Sequence, residues 1–137
     1  MKKNFNAFTI NTLEQAEKII LISKVYKIVP ILHFKSYLLS GFGPEFVLTF
    51  KNMLVSKFGK SSFKIFVDCG FDSSLSIKMV AIKINFIKLR ANSIILSKIR
   101  NITNKNMVLL NPSFNIIDCR NRKNINLKFK KLYSKDK

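Results

Sequence analysis

The segment FKIFVDCGFDS, residues 63–73, has the form of a strand that leads directly into the start of a helix. Its first five residues are apolar or aromatic except for one lysine, and a carboxylate, a thiol and a glycine follow as Asp68, Cys69 and Gly70. Asp72 then stands before two serines, in a pattern typical of a helix N-cap. Because α/β proteins place ligands at the carboxyl ends of strands, this junction indicates both a fold class and the position of a site.

Similar junctions recur along the chain. Five short apolar runs have the composition of strands, and helical periodicity separates them; the runs are NAFTI, IVPILHF, FKIFV, NFIKL and MVLL. Thr12 and Gln15 have the spacing of a capping box, while Pro44 and Gly59 stand where a helix can begin and end. Alternating strands and helices predict an α/β fold, with a parallel sheet of four to five strands and flanking helices.

The length of 137 residues suits one compact domain. Near residue 119 the sequence becomes basic and poor in large apolar side chains. We therefore expect residues 1–118 to form the α/β domain and residues 119–137 to form a basic C-terminal tail. Such a tail is either mobile or conditionally ordered, or it folds back across an edge of the sheet.

The charge of the chain is its most unusual bulk property. It contains 25 Lys and Arg against 7 Asp and Glu, a formal net charge of +18. Abundant Lys, Asn and Ile are expected of AT-rich coding, but such coding does not explain the scarcity of acids. The charge indicates either contact with a polyanion such as RNA or with anionic lipid, or a solvated basic surface.

The sequence shows no sign of membrane insertion or export. Lys or Glu interrupts every apolar run before it reaches the roughly 20 residues of a transmembrane helix, and the first residues lack the apolar region of a secretory signal. Cys69 and Cys119 are too few for a disulfide framework. We expect free thiols in a reducing compartment, and therefore a cytoplasmic location.

Five segments together carry a resemblance to a known family; they are AFTINTLEQAEKII, VPILHF, SGFGPEF, VDCG and AIKINFIKLRANS. Their order and spacing, over residues 6 to about 110, resemble the first half of the class II, zinc-dependent fructose-bisphosphate aldolases, which are (β/α)8 barrels. The resemblance implies a sheet like half a TIM barrel, or the same strands flattened into a doubly wound form. Half a barrel leaves exposed edge strands, which makes a homodimer a further expectation.

The resemblance also implies roles for particular residues. Asp68 matches the family's acid/base aspartate, and Cys69 replaces the adjacent zinc histidine. The family's other zinc histidines belong to the second half of the barrel, which we expect this chain to lack. His33, the only histidine, is not at a ligand position of the family, and we expect a core imidazole satisfied by the backbone. Since a catalytic zinc needs three protein ligands, we expect no cofactor, unless a partner chain completes a zinc site.

Two further regions match the family's active-site face. Gly41 and Gly43 lie in the segment SGFGPEF, where glycines would allow a ligand close to the backbone at a helix start. Ser93 stands where the family has Asp-Gly-Ser, although the acid and the glycine are absent. Asp68 is thus the candidate catalytic residue, and Gly41, Gly43 and Ser93 are candidate ligand-binding residues.

The tail carries a separate candidate site. Cations there alternate with the rings of Phe129 and Tyr133, a mixture that suits RNA or single-stranded DNA because cations meet phosphates and rings stack on bases. A membrane surface and a solvated terminus are the alternatives. The candidate nucleic-acid-binding residues are Arg120, Arg122, Lys123, Lys128, Lys130 and Lys131.

Three functions are consistent with these observations. The first is a non-catalytic descendant of the aldolase barrel that acts as a binding or assembly subunit with an anionic partner such as RNA. The second is a residual class II aldolase-type lyase that uses Asp68 and Cys69 and is completed by a second chain. The third is a degenerate protein with no selected function.

Overall fold

The computed structural model describes residues 6–121 and 124–133, which form a six-stranded sheet flanked by helices. Strands and helices mostly alternate along these residues. In chain order they are β1 (Asn6–Thr9), α1 (Leu13–Val25), β2 (Ile31–Phe34), α2 (Ser36–Phe42), α3 (Glu45–Phe58), β3 (Lys64–Asp68), α4 (Ser73–Ala81), β4 (Phe86–Lys88), α5 (Ser93–Lys105), β5 (Leu109–Leu110), β6 (Asn115–Asp118) and α6 (Ile125–Tyr133), with a 3-10 turn at Lys60–Ser62 before β3.

The predicted α/β class and parallel sheet are confirmed, since every strand pairing is parallel. The sheet has one strand more than the expected maximum of five. The additional strand, β6, pairs with β1 from Asn6↔Asn115 to Thr9↔Asp118. No helix separates β5 from β6, so the sixth strand does not follow the strand–helix alternation from which the others were predicted.

The sheet is rolled rather than flat. Its order is β5-β4-β3-β2-β1-β6, so β5 and β6 form the two edges. Leu110 and Asn115 are joined by five Cα–Cα steps, a path of at most about 18 Å. In a flat sheet the edges would be five strand spacings apart, roughly 24 Å. The edges therefore curve toward each other.

Two apolar clusters occupy the two faces of the rolled sheet. The larger lies between the sheet and the helices and includes the buried side chains of Phe8, Leu32 and Ile87. The smaller lies on the inner face, and its members are Ala7, Ile31, Phe66, Phe86 and Phe114. Phe114 immediately precedes β6, and the centroid of its ring lies 5.5 Å from that of Phe66 and 4.9 Å from that of Phe86. Contact between residues from distant strands agrees with the curvature of the sheet.

The predicted helix boundaries are confirmed for α1 and α3. The Thr12 hydroxyl accepts the Gln15 N–H at 3.1 Å, and the Gln15 side chain accepts the Thr12 N–H at 3.2 Å, which completes the capping box. Pro44 directly precedes α3, and Gly59 follows it with φ 88°. A side-chain hydrogen-bond pair therefore sets the start of α1, and the backbone preferences of proline and glycine set the ends of α3.

The segment SGFGPEF differs from the glycine loop that was expected. Residues 36–42 form α2, so Gly41 lies in the last turn of a helix, and only Gly43 occupies the junction before α3. Gly43 has φ 83°, and its N–H donates to the Leu39 carbonyl at 2.8 Å. Leu38 and Leu39 are buried, and this apolar burial favours a helix over an open loop.

The last described helix, α6, packs against the sheet and α1. Ile125 and Phe129 are buried, and the Phe129 ring stacks on the Phe8 ring with 4.9 Å between centroids. The Asn6 amide donates to the Tyr133 hydroxyl at 2.9 Å. Residues 125–133 thus lie folded back on the sheet, because apolar side chains four residues apart form one helical face. The division into residues 1–118 and 119–137 stays a prediction.

Three of the described helices end in a strained backbone conformation; after α1 the residue is Lys27, with φ 57°. Lys83 (φ 63°) follows α4 and Met107 (φ 59°) follows α5, and both occupy the left-handed region in which glycine is favoured. We expect Lys83→Gly and Met107→Gly each to raise the free energy of unfolding by about 0.5–1 kcal/mol, because glycine relieves this strain and only part of the gain is offset by its greater freedom in the unfolded chain. Urea unfolding at pH 7 measures the change.

Lys78→Gly is the matched control, because Lys78 is an exposed residue of α4. There the same substitution should lower stability by about 1 kcal/mol, since glycine is unfavourable within a helix. A loss of stability in Lys83→Gly equal to that in Lys78→Gly would contradict the assignment of strain to these helix ends.

Candidate functional site

Asp68 lies at the carboxyl end of β3, as predicted, and its carboxylate interacts with Gly70 and Arg90. It is 7% exposed, and its Oδ1 accepts the Gly70 N–H at 2.9 Å. Arg90 Nη1 lies 3.9 Å from the same oxygen. A cleft of about 630 Å³ opens beside this pair at the start of α4; its lining residues are Ser36, Cys69, Gly70, Phe71, Asp72, Ser73, Ser74 and Arg90. An aspartate paired with an arginine can orient a polar ligand.

Cys69 is buried, with 1% of its surface exposed, and it belongs to the cluster between sheet and helices. Burial, together with the smaller effects of the Asp68 and Asp72 charges, raises the pKa of its thiol to about 12. The thiol is therefore protonated at neutral pH, whereas metal binding and nucleophilic attack both use the thiolate. Cys119 is also buried, and neither cysteine is joined in a disulfide, as the sequence predicted.

The described residues do not provide the ligand set of a zinc ion. Within residues 6–121 and 124–133, no three side chains of His, Cys, Asp or Glu lie close enough together to hold a metal ion. Asp68 is engaged by Gly70 and Arg90, and the Cys69 thiol is protonated. A catalytic zinc needs three protein ligands, which this end of the sheet does not bring together.

His33 lies on the inner face of the sheet, 4% exposed. Its Nδ1 is 2.7 Å from the Thr9 hydroxyl, so a side chain, and not the backbone as expected, satisfies the imidazole. The ring also packs against Phe66, with 4.8 Å between centroids. The pKa of His33 is lowered to about 4, mainly by burial; three nearby cations contribute to the decrease and Asp68 opposes it. His33 is therefore neutral at physiological pH.

The predicted ligand-binding residues do not converge on the cleft beside Asp68. Gly41 is exposed in α2, and Gly43 lies at the α2–α3 junction. Ser93 is the exposed first residue of α5, whose start is already capped because the Asn92 side chain accepts the Ile95 N–H at 2.9 Å. None of these three residues lines the cleft, and their ligand-binding role stays a prediction.

Arg120 belongs to a hydrogen-bonded network at the carboxyl end of the sheet. Its guanidinium donates to both carboxylate oxygens of Asp118, at 2.8 Å from Nε to Oδ1, and to the Tyr37 hydroxyl at 2.8 Å. The hydroxyl in turn donates to Asn11 at 2.7 Å. The hydrogen bond from Arg120 lowers the pKa of Asp118 to about 2, and the pKa of Arg120 is raised. Asp118 is a local partner, two residues away, whereas Tyr37 comes from a distant segment. The prediction that Arg120 contacts nucleic acid did not anticipate either partner.

The other predicted nucleic-acid-binding residues are only partly described. Lys128 is half-buried in α6, and Lys130 and Lys131 are exposed near its end. Arg122 and Lys123 lie outside the described residues. The exposed cations of α6 therefore belong to a folded helix.

Exposed lysines gather at the end of the sheet where the strands begin. Because the strands are parallel, the helices that precede them end there, and α6 reaches the same end through the bond between Tyr133 and Asn6. We call this surface the basic end; its lysines are Lys24, Lys27, Lys57, Lys60, Lys64, Lys83, Lys105, Lys130 and Lys131. The sequence shows a lysine near the end of each of these helical patterns, but it does not show that these lysines share one surface.

Acidic side chains show the opposite distribution. Five of the six that the structure describes lie at the carboxyl end of the sheet or in first helical turns; they are Glu14, Glu45, Asp68, Asp72 and Asp118. The sixth, Glu17, pairs with Lys57 at 3.2 Å. Acids near helix starts and lysines near helix ends both suit the helix dipole, and together they separate charge along the strand direction.

The sequence matches no protein-family model and no curated protein. The chain is similar in structure to a protein from Coccidioides immitis that carries the provisional name fructose-1,6-biphosphate aldolase. The two share 10% sequence identity with a TM-score of 0.36, and the alignment covers 96% of this chain and 79% of that one. The assignment to the class II aldolases stays a prediction. Among the described helices, none has both the length and the apolar character of a membrane span.

Proposed function

We propose that the protein is a non-catalytic, aldolase-like α/β protein that acts as a binding or assembly subunit with an anionic partner, specifically RNA. The observation that carries the proposal is the uncompensated charge, 25 basic against 7 acidic residues. Such a field attracts polyanions and repels other copies of the chain. Binding RNA would replace this repulsion with attraction.

Five of the six acids that the structure describes are already engaged within the fold. Asp72 caps α4 through the Leu75 N–H at 3.0 Å, and four ion pairs use other carboxylates. These pairs are Glu14–Lys18, Glu17–Lys57, Asp68–Arg90 and Asp118–Arg120. Even complete pairing would leave the surplus of 18 cations to be balanced by counterions or by a partner.

The geometry supports the lyase alternative less well. That function needs Asp68 beside a metal ligand, but Cys69, the residue at the family's zinc position, is buried on the helix-facing side with a raised thiol pKa. Asp68 itself lies next to Arg90. A degenerate protein with no selected function is the remaining alternative, and RNA binding with a defined contact surface would argue against it.

The proposal predicts affinity for single-stranded RNA that falls steeply with salt. Each phosphate contact contributes about −0.7 to the slope of log affinity against log salt, so six contacts give a slope of about −4 and roughly 300-fold weaker binding at 200 mM than at 50 mM salt. Fluorescence anisotropy with a labelled RNA oligonucleotide measures this slope.

A peptide nucleic acid of the same base sequence is the control, because it keeps the bases and lacks the phosphates. We expect it not to bind. Absent RNA binding at low salt, or an affinity that does not change with salt, would reject the proposed function.

A further inference from the structure

We propose that the basic end is the surface that contacts RNA, an inference that rests on the proposed function. The turns that precede β2, β3, β4 and β5 lie side by side there, because backbone hydrogen bonds connect the beginnings of neighbouring strands. The Lys64 N–H donates to the Pro30 carbonyl at 2.9 Å, and the Asn85 carbonyl accepts the Leu109 N–H at 3.0 Å. Lysines from separate turns are thereby held on one continuous surface.

Helix electrostatics explains only part of this arrangement. A lysine in the last turn of a helix, such as Lys24 or Lys105, is stabilised by the helix dipole by about 0.3–1 kcal/mol. Lys27 and Lys83 lie beyond the helix ends, in the left-handed conformation with φ 57° and 63°. Glycine or asparagine is easier to place there. These two positions present cations at the expense of backbone strain.

The basic end is also far from most of the described acids; the exception is Glu17, which pairs with Lys57 at 3.2 Å. α1 and α5 each have 13 residues, a length of about 20 Å at 1.5 Å per residue. This exceeds twice the Debye length of about 8 Å at physiological salt. Acids at the carboxyl end therefore do not cancel the potential at the basic end, and an approaching polyanion meets a predominantly positive surface.

Aromatic rings among the lysines favour RNA over other polyanions. The half-buried Phe58 ring is close to two ammonium groups, with its centroid 5.4 Å from Lys24 Nζ and 5.6 Å from Lys57 Nζ. Tyr26 and Tyr133 are also half-buried near the same end, 6.0 Å apart between ring centroids. Rings beside cations suit single-stranded RNA, because bases stack while phosphates are neutralised.

The test compares two variants with equal loss of charge. The basic-end variant combines Lys27→Asn, Lys60→Gln, Lys83→Asn and Lys105→Gln; asparagine is used where φ is positive. The control variant combines Lys18→Gln, Lys35→Gln, Lys78→Gln and Lys98→Gln, which lie outside the basic end. Both lower the formal charge from +18 to +14, so long-range attraction changes equally.

We expect the basic-end variant to lose up to about 2.8 from the salt slope, which corresponds to roughly 200-fold weaker RNA affinity at 0.15 M salt. The control variant should retain the wild-type slope. Equal losses in the two variants would overturn the assignment of the surface and leave RNA binding intact, whereas no binding by the wild type would reject the proposed function itself.

Two further measurements make the test independent of variant folding and of partner class. Lysine acetylation of the wild-type protein, read by mass spectrometry, should be suppressed by RNA at Lys27, Lys60, Lys83 and Lys105 and unchanged at Lys18 and Lys98; uniform protection would contradict the inference. Vesicles of phosphatidylserine and phosphatidylcholine should bind more weakly than RNA. If the wild type bound these vesicles more tightly than RNA, and the basic-end variant lost that binding, the surface would be a membrane-binding surface. That result would overturn the RNA assignment.

Discussion

Phe129→Ala is expected to lower the free energy of unfolding by about 3–5 kcal/mol, the range for removing a large ring from a core. The Phe129 side chain is completely buried and stacks on Phe8 with an interplanar angle of 16°. The rings of Tyr26 and Tyr133 also lie within 6.2 Å and 5.4 Å of it. Since the free energy of unfolding of small domains is only about 5–15 kcal/mol, the expected loss is a large fraction of the total stability. Urea unfolding at pH 7 measures the loss.

Phe71→Ala is the matched control, because Phe71 is 81% exposed. The same substitution there should change stability by no more than about 0.5 kcal/mol. If both variants had equally small effects, α6 would not be docked on the sheet, and residues 125–133 would behave as the mobile tail that composition first indicated.

The docking of α6 changes how the charge of the C-terminal region can be tested. Deleting residues 120–137 would remove the basic side chains, but it would also expose the Phe8 ring that α6 covers. Loss of RNA binding in such a truncation would therefore report unfolding as well as lost charge. Point substitutions of exposed lysines, which leave Phe129 in place, separate the two effects.

Local signals in the sequence were sufficient for much of the fold. The capping residues Thr12 and Gln15 act over three positions, and the left-handed Gly59 ends α3 by itself. Continuous apolar runs marked β2 and β3, whose side chains are buried on both faces. Each of these features depends on neighbours in the chain, so a single sequence contains the information needed to predict it.

The features that were missed depend on distant parts of the chain. The strand β6 has mostly exposed side chains and is defined by its pairing with β1, more than 100 residues earlier. The inner cluster that includes Phe66 and Phe114 forms only after the sheet has rolled. Neither pairing nor curvature has a signature within one segment.

The candidate site also combines a feature that local sequence could predict with a feature that depends on distant residues. Asp68 and Cys69 are adjacent in sequence, but side chains alternate across a strand. Asp68 therefore reaches Arg90 at the carboxyl end, whereas Cys69 enters the cluster between sheet and helices. This alternation could have been applied to the sequence. The contact between Arg120 and Tyr37 could not, because residues 83 positions apart form it.

Acidification from pH 6.5 to pH 4 is expected to remove about 3 kcal/mol of stability through His33, because its pKa falls from 6.5 in the unfolded chain to about 4 in the fold. Burial is the main cause. The charge of Asp68 opposes the shift, and Lys35, Lys88 and Arg120 increase it. The unfolded chain binds the proton first, so this contribution is complete above pH 6.5 and is lost as the pH falls toward 4.

His33→Asn isolates this effect, because asparagine can keep a polar partner for Thr9 and does not titrate in this range. The variant should be less stable than the wild type at pH 7, where it lacks the ring that packs on Phe66. Urea unfolding at pH 7, 6, 5 and 4 should show the difference between the two proteins shrinking by about 3 kcal/mol, since other acidic groups titrate in both. Parallel stability curves would show that His33 does not remain neutral in the fold, and the inner face would then have to accommodate a charged imidazole beside Asp68.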